Sequence, residues 1–195
     1  ILELEKATKQ AELQQLKKQI NPHFLFNMLN NANILVKDAP DEASQILEKL
    51  DNLLRYQLND STRREVFLTA DIQFLTSFLE LEKVRRDHFE YTIFQEGNME
   101  NICIPPLLFI PFVENAVKHN LDSDNLSYIH LYFSVHNKQL TFRCENSKPR
   151  VPVKREGGIG LANVKRRLDL LYESRYTLQI EDKETTYNVN LHLNL

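Results

Sequence analysis

The sequence predicts an α+β chain: an N-terminal helical hairpin, then an α/β sandwich with a mixed, largely antiparallel sheet. Three observations predict it. Residues 1–37 hold no glycine and repeat Leu13, Leu16 and Ile20 at helical spacing. After the polar break Asp60–Arg64 the texture changes to short alternating segments. Those segments fall among three further helical stretches, and the later ones pair around short turns.

Residues 1–37 read as one long helix, and Asp38-Ala39-Pro40-Asp41 as a turn whose proline suits a helix's first turn. A second helix then runs to about Asn59, with Ile46, Leu50, Leu53 and Leu54 on one side. Two antiparallel helices cannot bury a broad stripe on each other alone. A homodimer would close them into a four-helix bundle; packing on the rest of the same chain is the alternative. Thr69 is placed to cap a helix ending near Arg86. Phe89–Gln95 alternates as a strand, and Leu107–His119 reads as helix after Pro105-Pro106. Strands Ile129–Val135 and Leu140–Glu145 flank a turn at Asn137-Lys138. Leu161–Tyr172 is a helix, and Tyr176–Ile180 with Tyr187–Leu193 makes a terminal hairpin. The expected domains are therefore residues 1–63, helical, and residues 64–195, the sandwich.

Composition removes several function classes. A formal charge of −3 leaves no basic footprint for direct nucleic acid binding. Cys103 and Cys144 lack metal spacing and fit a reducing compartment. The longest apolar run, Ile104–Val113, is about half the length of a membrane helix and contains three prolines. The chain begins at Ile1 without a leader pattern and reads as a soluble fragment of a longer protein.

Within the first helix Pro22 should cost about 3 kcal/mol in a helix interior. Before it the apolar line is Leu13, Leu16, Ile20; after it, Leu25, Met28, Ala32, Leu35. The stripe shifts by one residue, about 100° of rotation, which a kink accommodates. Measured from the second line, His23 points about 200° from Leu25 and shares an outward face with Asn27 and Asn30. An exposed neutral imidazole is a competent nucleophile near pH 7. On this geometry alone the reading as an ordinary surface histidine, with the asparagines a solvated face, is the stronger one.

A second cluster lies at Glu114-Asn115-Ala116-Val117-Lys118-His119. An amide or carboxylate oxygen can ligate Mg²⁺, and a lysine can meet phosphate oxygens. Gly157-Gly158-Ile159-Gly160 gathers three of four glycines before a helix, where backbone N–H groups favour anions. It is not a P-loop, because no Gly-Lys-Ser/Thr follows.

Together these blocks resemble one family. QINPHFLFNMLN at Gln19–Asn30 is similar to the phosphoacceptor segment of the LytS-like sensor histidine kinases. The resemblance continues through LRYQLN at Leu54–Asn59, FLELEKVRR at Phe78–Arg86, IPPLLFIPFVENAVKH at Ile104–His119 and GGIGLANVKRRL at Gly157–Leu168. It implies a phosphotransfer hairpin at 1–63 and a GHKL-type ATP-binding domain at 64–195, using ATP and Mg²⁺. By the same match His23 would take the phosphoryl group and Glu114 would assist catalysis. Asn115 would hold Mg²⁺, and Lys118 and His119 would line the phosphates. Gly158 and Gly160 would cover the phosphates from a lid, Ser147–Glu156. The family often has Asp-x-Gly to read adenine where this chain has Cys144-Glu145-Asn146-Ser147, so Glu145 or Asn146 takes that place. Ile110 stands where relatives often have glutamine, and Phe24 where many histidine kinases have an acid. Asn27, a water or Glu114 would then orient the imidazole.

The resemblance further implies a membrane-anchored parent with this region on the cytoplasmic side of the bacterial inner membrane. It also implies a response regulator, often of LytTR type, as phosphoryl acceptor. The other reading is a dimeric signalling scaffold deficient in nucleotide binding. A chaperone- or gyrase-like ATPase is opposed by the helical hairpin carrying NPHFLFN.

Overall fold

The computed structural model describes residues 22–121, 125–149 and 159–195, and these fall into two compact units. The expected helix over residues 1–21 and its kink lie outside the described residues, as does the outward direction of the His23 side chain.

One unit comprises the described residues within Gln19–Phe89 and Glu100–Leu108. Its helices are α1 (Pro22–Asp38), α2 (Pro40–Arg55) and α3 (Leu68–Arg85). Between α2 and α3 lies a π-helical turn, Tyr56–Asp60. The apolar stripe fixes how the hairpin closes: Met28 and Ala32 of α1 and Ile46, Leu50 and Leu53 of α2 are buried. The second helix of the hairpin keeps winding to Asp60, close to its expected end, but changes register after Arg55. Pro40 occupies the first turn of α2, where its missing N–H removes no helical bond.

α3 groups in packing with this hairpin, and Phe24 meets Phe78 with ring centroids 4.9 Å apart. Leu68, Leu75, Leu79 and Leu81 are fully buried, each worth about 1.5–3 kcal/mol of transfer free energy. Thr69 does not cap α3. The helix already begins at Leu68, whose N–H donates to the Ile102 carbonyl, so Thr69 sits inside the first turn. That bond extends a two-residue antiparallel ladder, β1 (Val66–Phe67) with β3 (Cys103–Ile104), too short to read as strands in sequence.

The other unit comprises the described residues within Glu90–Met99 and Phe109–Leu195. Its five-stranded sheet uses β2 (Phe89–Glu96), β4 (Ser127–His136), β5 (Gln139–Ser147), β6 (Tyr176–Asp182) and β7 (Thr186–Asn194). The order is β2-β4-β5-β7-β6, and the β4–β5, β5–β7 and β6–β7 pairings are antiparallel. Asn137 and Lys138 both have positive φ, 48° and 63°, the mirror-image turn that matches strand twist in a two-residue hairpin.

Helices α4 (Ile110–His119) and α5 (Ile159–Tyr172) complete this unit. The core is aromatic: Phe109 lies 4.5 Å from Phe142 and 5.2 Å from Phe133, and Phe112 lies 5.8 Å from Phe142. α4 starts three residues later than expected. Leu107 has φ 56°, which a right-handed helix cannot contain, and Pro111 then sits in the first turn.

Candidate functional site

Helix α4 buries Phe112, Val113, Ala116 and Val117. At 100° per residue that stripe leaves Glu114, Asn115, Lys118 and His119 together on the remaining half of the helix. Lys118 is exposed, and the other three are half-buried. The end of this helix is held by Asn120, fully buried, whose backbone N–H donates to the Ala116 carbonyl. Its side-chain amide donates to the Tyr128 carbonyl of β4 at 3.2 Å. The face is therefore set by packing on one side and by a pinned terminus.

Burial pushes the Glu114 carboxyl up to about 7. A carboxyl poised there exchanges a proton near neutrality, as a general acid or base requires. Asn115, the next residue, offers an amide oxygen, a hard donor of the type Mg²⁺ takes. Among the described residues no group of three or more His, Cys, Asp or Glu side chains could hold a metal ion. The donor set fits a magnesium ion that keeps waters and phosphate oxygens around one or two protein ligands.

The end of β5 separates the two candidates for reading adenine. Strand residues alternate, so Leu140, Phe142, Cys144 and Asn146 share one face, and all four are buried. That face carries the Phe109–Phe112–Phe142 contacts, so it is the side on which α4 packs. Glu145 lies on the opposite face, paired in register with His130 and Asn188, and the Tyr128 hydroxyl donates to its Oε1 at 3.4 Å. Asn146 is 1% exposed, and its side-chain amide donates to the Ser147 carbonyl at 2.8 Å. The structure thus puts Asn146 on the same side of the sheet as the Glu114–Asn115 helix, and Glu145 on the other. Neighbouring Cys144 is inert, its thiol pushed up to about 12 by burial.

Gly160 lies in the first turn of α5, the end of a helix that favours an anion. Gly157, Gly158 and residues 150–156 of the expected lid lie outside the described residues. Lys148, at the lid's start, instead bonds Asp182 at 2.7 Å and the Lys183 carbonyl, tying the end of β5 to the β6–β7 turn. His23 is carried on α1.

Sequence reasoning missed Asp71. It reads as one acid of a helix's first turn, yet it is fully buried, accepting from the Tyr56 hydroxyl at 2.5 Å and the Leu107 N–H at 2.9 Å. The available signal was its place between Leu68 and Ile72 on a helix buried on several sides.

A helical hairpin bearing a histidine, joined to a sandwich bearing a carboxylate–amide–lysine helix, defines a class: the histidine kinases. Residues 11–89 match the family described as Histidine kinase. The chain is 30% identical over 203 residues to "Sensor protein LytS" of Staphylococcus haemolyticus, covering 96% of this chain and 35% of that protein. It is 32% identical over 119 residues to "Sensor histidine kinase YpdA" of Escherichia coli, covering 61% of this chain and 21% of that one. In fold it resembles the histidine kinase domain of a blue-light activated kinase of Erythrobacter litoralis, with TM-score 0.52 and 16% identity over 97% of this chain and 93% of that one. The catalytic domain of histidine kinase ThkA gives TM-score 0.51 and 16% identity over 67% and 93%. The chain belongs to the LytS-like sensor histidine kinases. It spans about a third or less of the length of these curated relatives.

Proposed function

We propose that this chain is a catalytic region that moves the γ-phosphoryl group of ATP to His23 and then to an aspartate of a response regulator. The carrying observation is the α4 face, where Glu114, with its carboxyl pushed up to about 7, adjoins Asn115. In the transfer, one imidazole nitrogen of His23 forms the P–N bond as the bond from phosphorus to the ADP oxygen breaks. The proton on the other nitrogen leaves, and Glu114 in its ionised form is the acceptor this face offers. Asn115 holds Mg²⁺ through its amide oxygen, while Lys118, His119 and the first turn of α5 at Gly160 meet phosphate oxygens. Bound magnesium supplies charge neutralisation on the phosphates. Asn146, buried on that side of the sheet, reads the adenine, and Glu145 does not.

The division of labour expected from sequence, residues 1–63 for phosphotransfer and 64–195 for ATP binding, is part of this reading. So is a homodimer. Phe26, Leu29, Asn33 and Val36 of α1 are exposed at the 3-4-3 spacing of a helix–helix seam. A lone polar residue in such a seam, here Asn33, fixes register at some cost in stability. A LytTR-type regulator and a membrane-anchored parent follow from the family alone; no helix among the described residues is long and apolar enough to cross a membrane.

Calorimetric titration with ATP and Mg²⁺, followed by an assay for acid-labile phosphate, tests the proposal. Binding that is lost in Asn115→Ala, with labelling lost in His23→Gln, supports it. A folded chain that does not bind millimolar ATP overturns it and leaves the dimeric scaffold, the reading favoured by the replacement of Asp-x-Gly at Glu145–Ser147.

A further inference from the structure

The face of the five-stranded sheet opposite α4 carries a polar row that phosphoryl transfer does not use. In register, His130 of β4 pairs with Glu145 of β5, Glu145 with Asn188 of β7, and Asn188 with Glu181 of β6. Directly opposed residues of antiparallel strands share a face, so the four stand in one line across four strands. Neighbouring strands lie about 4.8 Å apart, which sets Glu145 and Glu181 on either side of Asn188, about 10 Å from each other at the backbone. All belong to one unit.

Asn188 is the member of the row that packing does not explain. It is 7% exposed, and its side-chain Oδ1 is buried without a hydrogen-bond partner. A buried oxygen left unpaired costs the desolvation of that group. Its neighbours on both sides are carboxylates, which accept and do not donate when ionised. An acceptor between two acceptors is satisfied by a cation that enters between them. His130 is turned away from this place, its Nδ1 2.7 Å from Thr92 Oγ1 and its ring stacked on Tyr128 at 4.6 Å.

The two charges are lightly balanced. Glu145 Oε1 accepts from the Tyr128 hydroxyl at 3.4 Å, a long bond. Glu181 Oε2 meets Lys183 Nζ at 2.9 Å. That bond is the main cause that raises the pKa of the Lys183 ammonium, and the Glu145 charge adds to it, so one ammonium feels both carboxylates. Lys183 stands in the exposed β6–β7 turn, and an exposed pair of this kind is weak and easily opened. The other cations nearby are engaged elsewhere, Arg143 over the Tyr132 ring at 5.8 Å and Lys148 on Asp182 at 2.7 Å.

We infer that Glu145, Asn188 and Glu181 form a site for a hard divalent cation of the calcium type, with Lys183 as the counter-ion that the metal displaces. All three ligands are oxygens. They come from three strands on long and short side chains, an irregular set that calcium accepts and the strict octahedron of magnesium does not. The third ligand is an amide, which is why no cluster of three His, Cys, Asp or Glu among the described residues marks the place. Two carboxylates are a low charge count, so the affinity for calcium should be weak, about 10⁻⁴–10⁻³ M. The site lies across the sheet from Asn146 and does not rest on the kinase reading.

Terbium(III), a calcium analogue whose luminescence is sensitised by a nearby tyrosine, tests this on the 195-residue chain without nucleotide. The chain has seven tyrosines and no tryptophan, and the Tyr128 hydroxyl bonds one of the ligands. A saturable signal should appear, and Ca²⁺ should displace it at about tenfold lower concentration than Mg²⁺. Asn188→Val and Glu181→Gln should each weaken terbium about tenfold or more. Lys183→Met should tighten it about two- to fivefold, and Asn115→Ala should leave it unchanged. Because Asn188→Val removes an unpaired buried oxygen, its urea midpoint should not fall, so loss of terbium there is not loss of fold. Absence of a signal, or one that survives Asn188→Val, overturns the site and leaves a diffuse acidic surface. Equal displacement by Mg²⁺ overturns the calcium assignment, and unchanged affinity in Lys183→Met overturns the displacement.

Discussion

Glu145 and Asn146 are consecutive on β5 and stand on opposite faces of the sheet, Asn146 buried with the aromatic core and Glu145 paired with His130 and Asn188. Period-two alternation makes this unavoidable once Phe142 points into the core. On the proposed reading of adenine from the α4 side, the two have different expected effects. Asn146→Ala should weaken ATP about tenfold or more, the effect of losing a buried hydrogen bond. Glu145→Ala should leave the affinity within about twofold. Titration calorimetry on both variants checks this, and equal losses would remove the assignment.

Glu114 gives a pH signature. Its carboxyl is pushed up to about 7 by burial, against an ordinary 4.5. Acting as a base it must be ionised. The labelling rate should therefore fall about tenfold per pH unit below about 7 and flatten above it. Glu114→Gln should lower the plateau by about 10²- to 10⁴-fold and remove the part of the fall due to this carboxyl. A variant that keeps the wild-type plateau would show that another group takes the proton.

The same group sets a stability slope. Between pH 4.5 and about 7 the folded chain holds a proton on Glu114 that the unfolded chain has lost. Folding stability from this group is thus full at low pH and declines as pH rises through that window. The urea midpoint of Glu114→Gln should lack this decline when compared with wild type at about pH 5 and about pH 8. A difference of the opposite sign would mean the carboxylate is stabilised in the fold.

Elements with a strong period were legible in the sequence. Ile46, Leu50 and Leu53 were placed on the buried side of α2 by spacing alone, and Asn137-Lys138 was placed in a turn that the structure finds left-handed at both residues. The face of α4 was legible too, because Glu114, Asn115, Lys118 and His119 alternate with a clear apolar stripe. What was hidden depends on contacts distant in sequence. Thr69 looked like a cap, but the Ile102 carbonyl had already taken the N–H that starts α3 at Leu68. Leu107 looked helical, but its backbone is left-handed and its N–H donates to Asp71, 36 residues away. The faces of Glu145 and Asn146 follow from the phase of Leu140, Phe142 and Cys144 along β5, a two-residue period that the sequence already carries.

The exposed seam of α1 makes a prediction about assembly. Phe26, Leu29 and Val36 are 66%, 45% and 53% exposed, unusual for large apolar side chains that recur at heptad spacing. Leu29→Glu with Val36→Glu should convert a dimer to a monomer in sedimentation while leaving the far-UV spectrum intact. A wild-type chain that sediments as a monomer at micromolar concentration would place the dimer contact elsewhere or remove it.

Asp71 should be among the costliest single positions in the helical unit. Its carboxylate is fully buried, and two donors, the Tyr56 hydroxyl and the Leu107 N–H, converge on one of its oxygens. Burial and then the Asp71 charge push the Tyr56 phenol far above its ordinary range, so the proton stays on tyrosine and the bond keeps its direction at any working pH. Asp71→Ala removes the acceptor from both donors and opens a cavity, for a loss of about 3–5 kcal/mol in urea unfolding. Asp71→Asn retains the shape and one acceptor oxygen, so its loss should be about half as large. If Asp71→Ala costs less than about 1 kcal/mol, the carboxylate is not holding the Tyr56 hydroxyl and the Leu107 N–H, because two buried donors left without their acceptor would cost more than that.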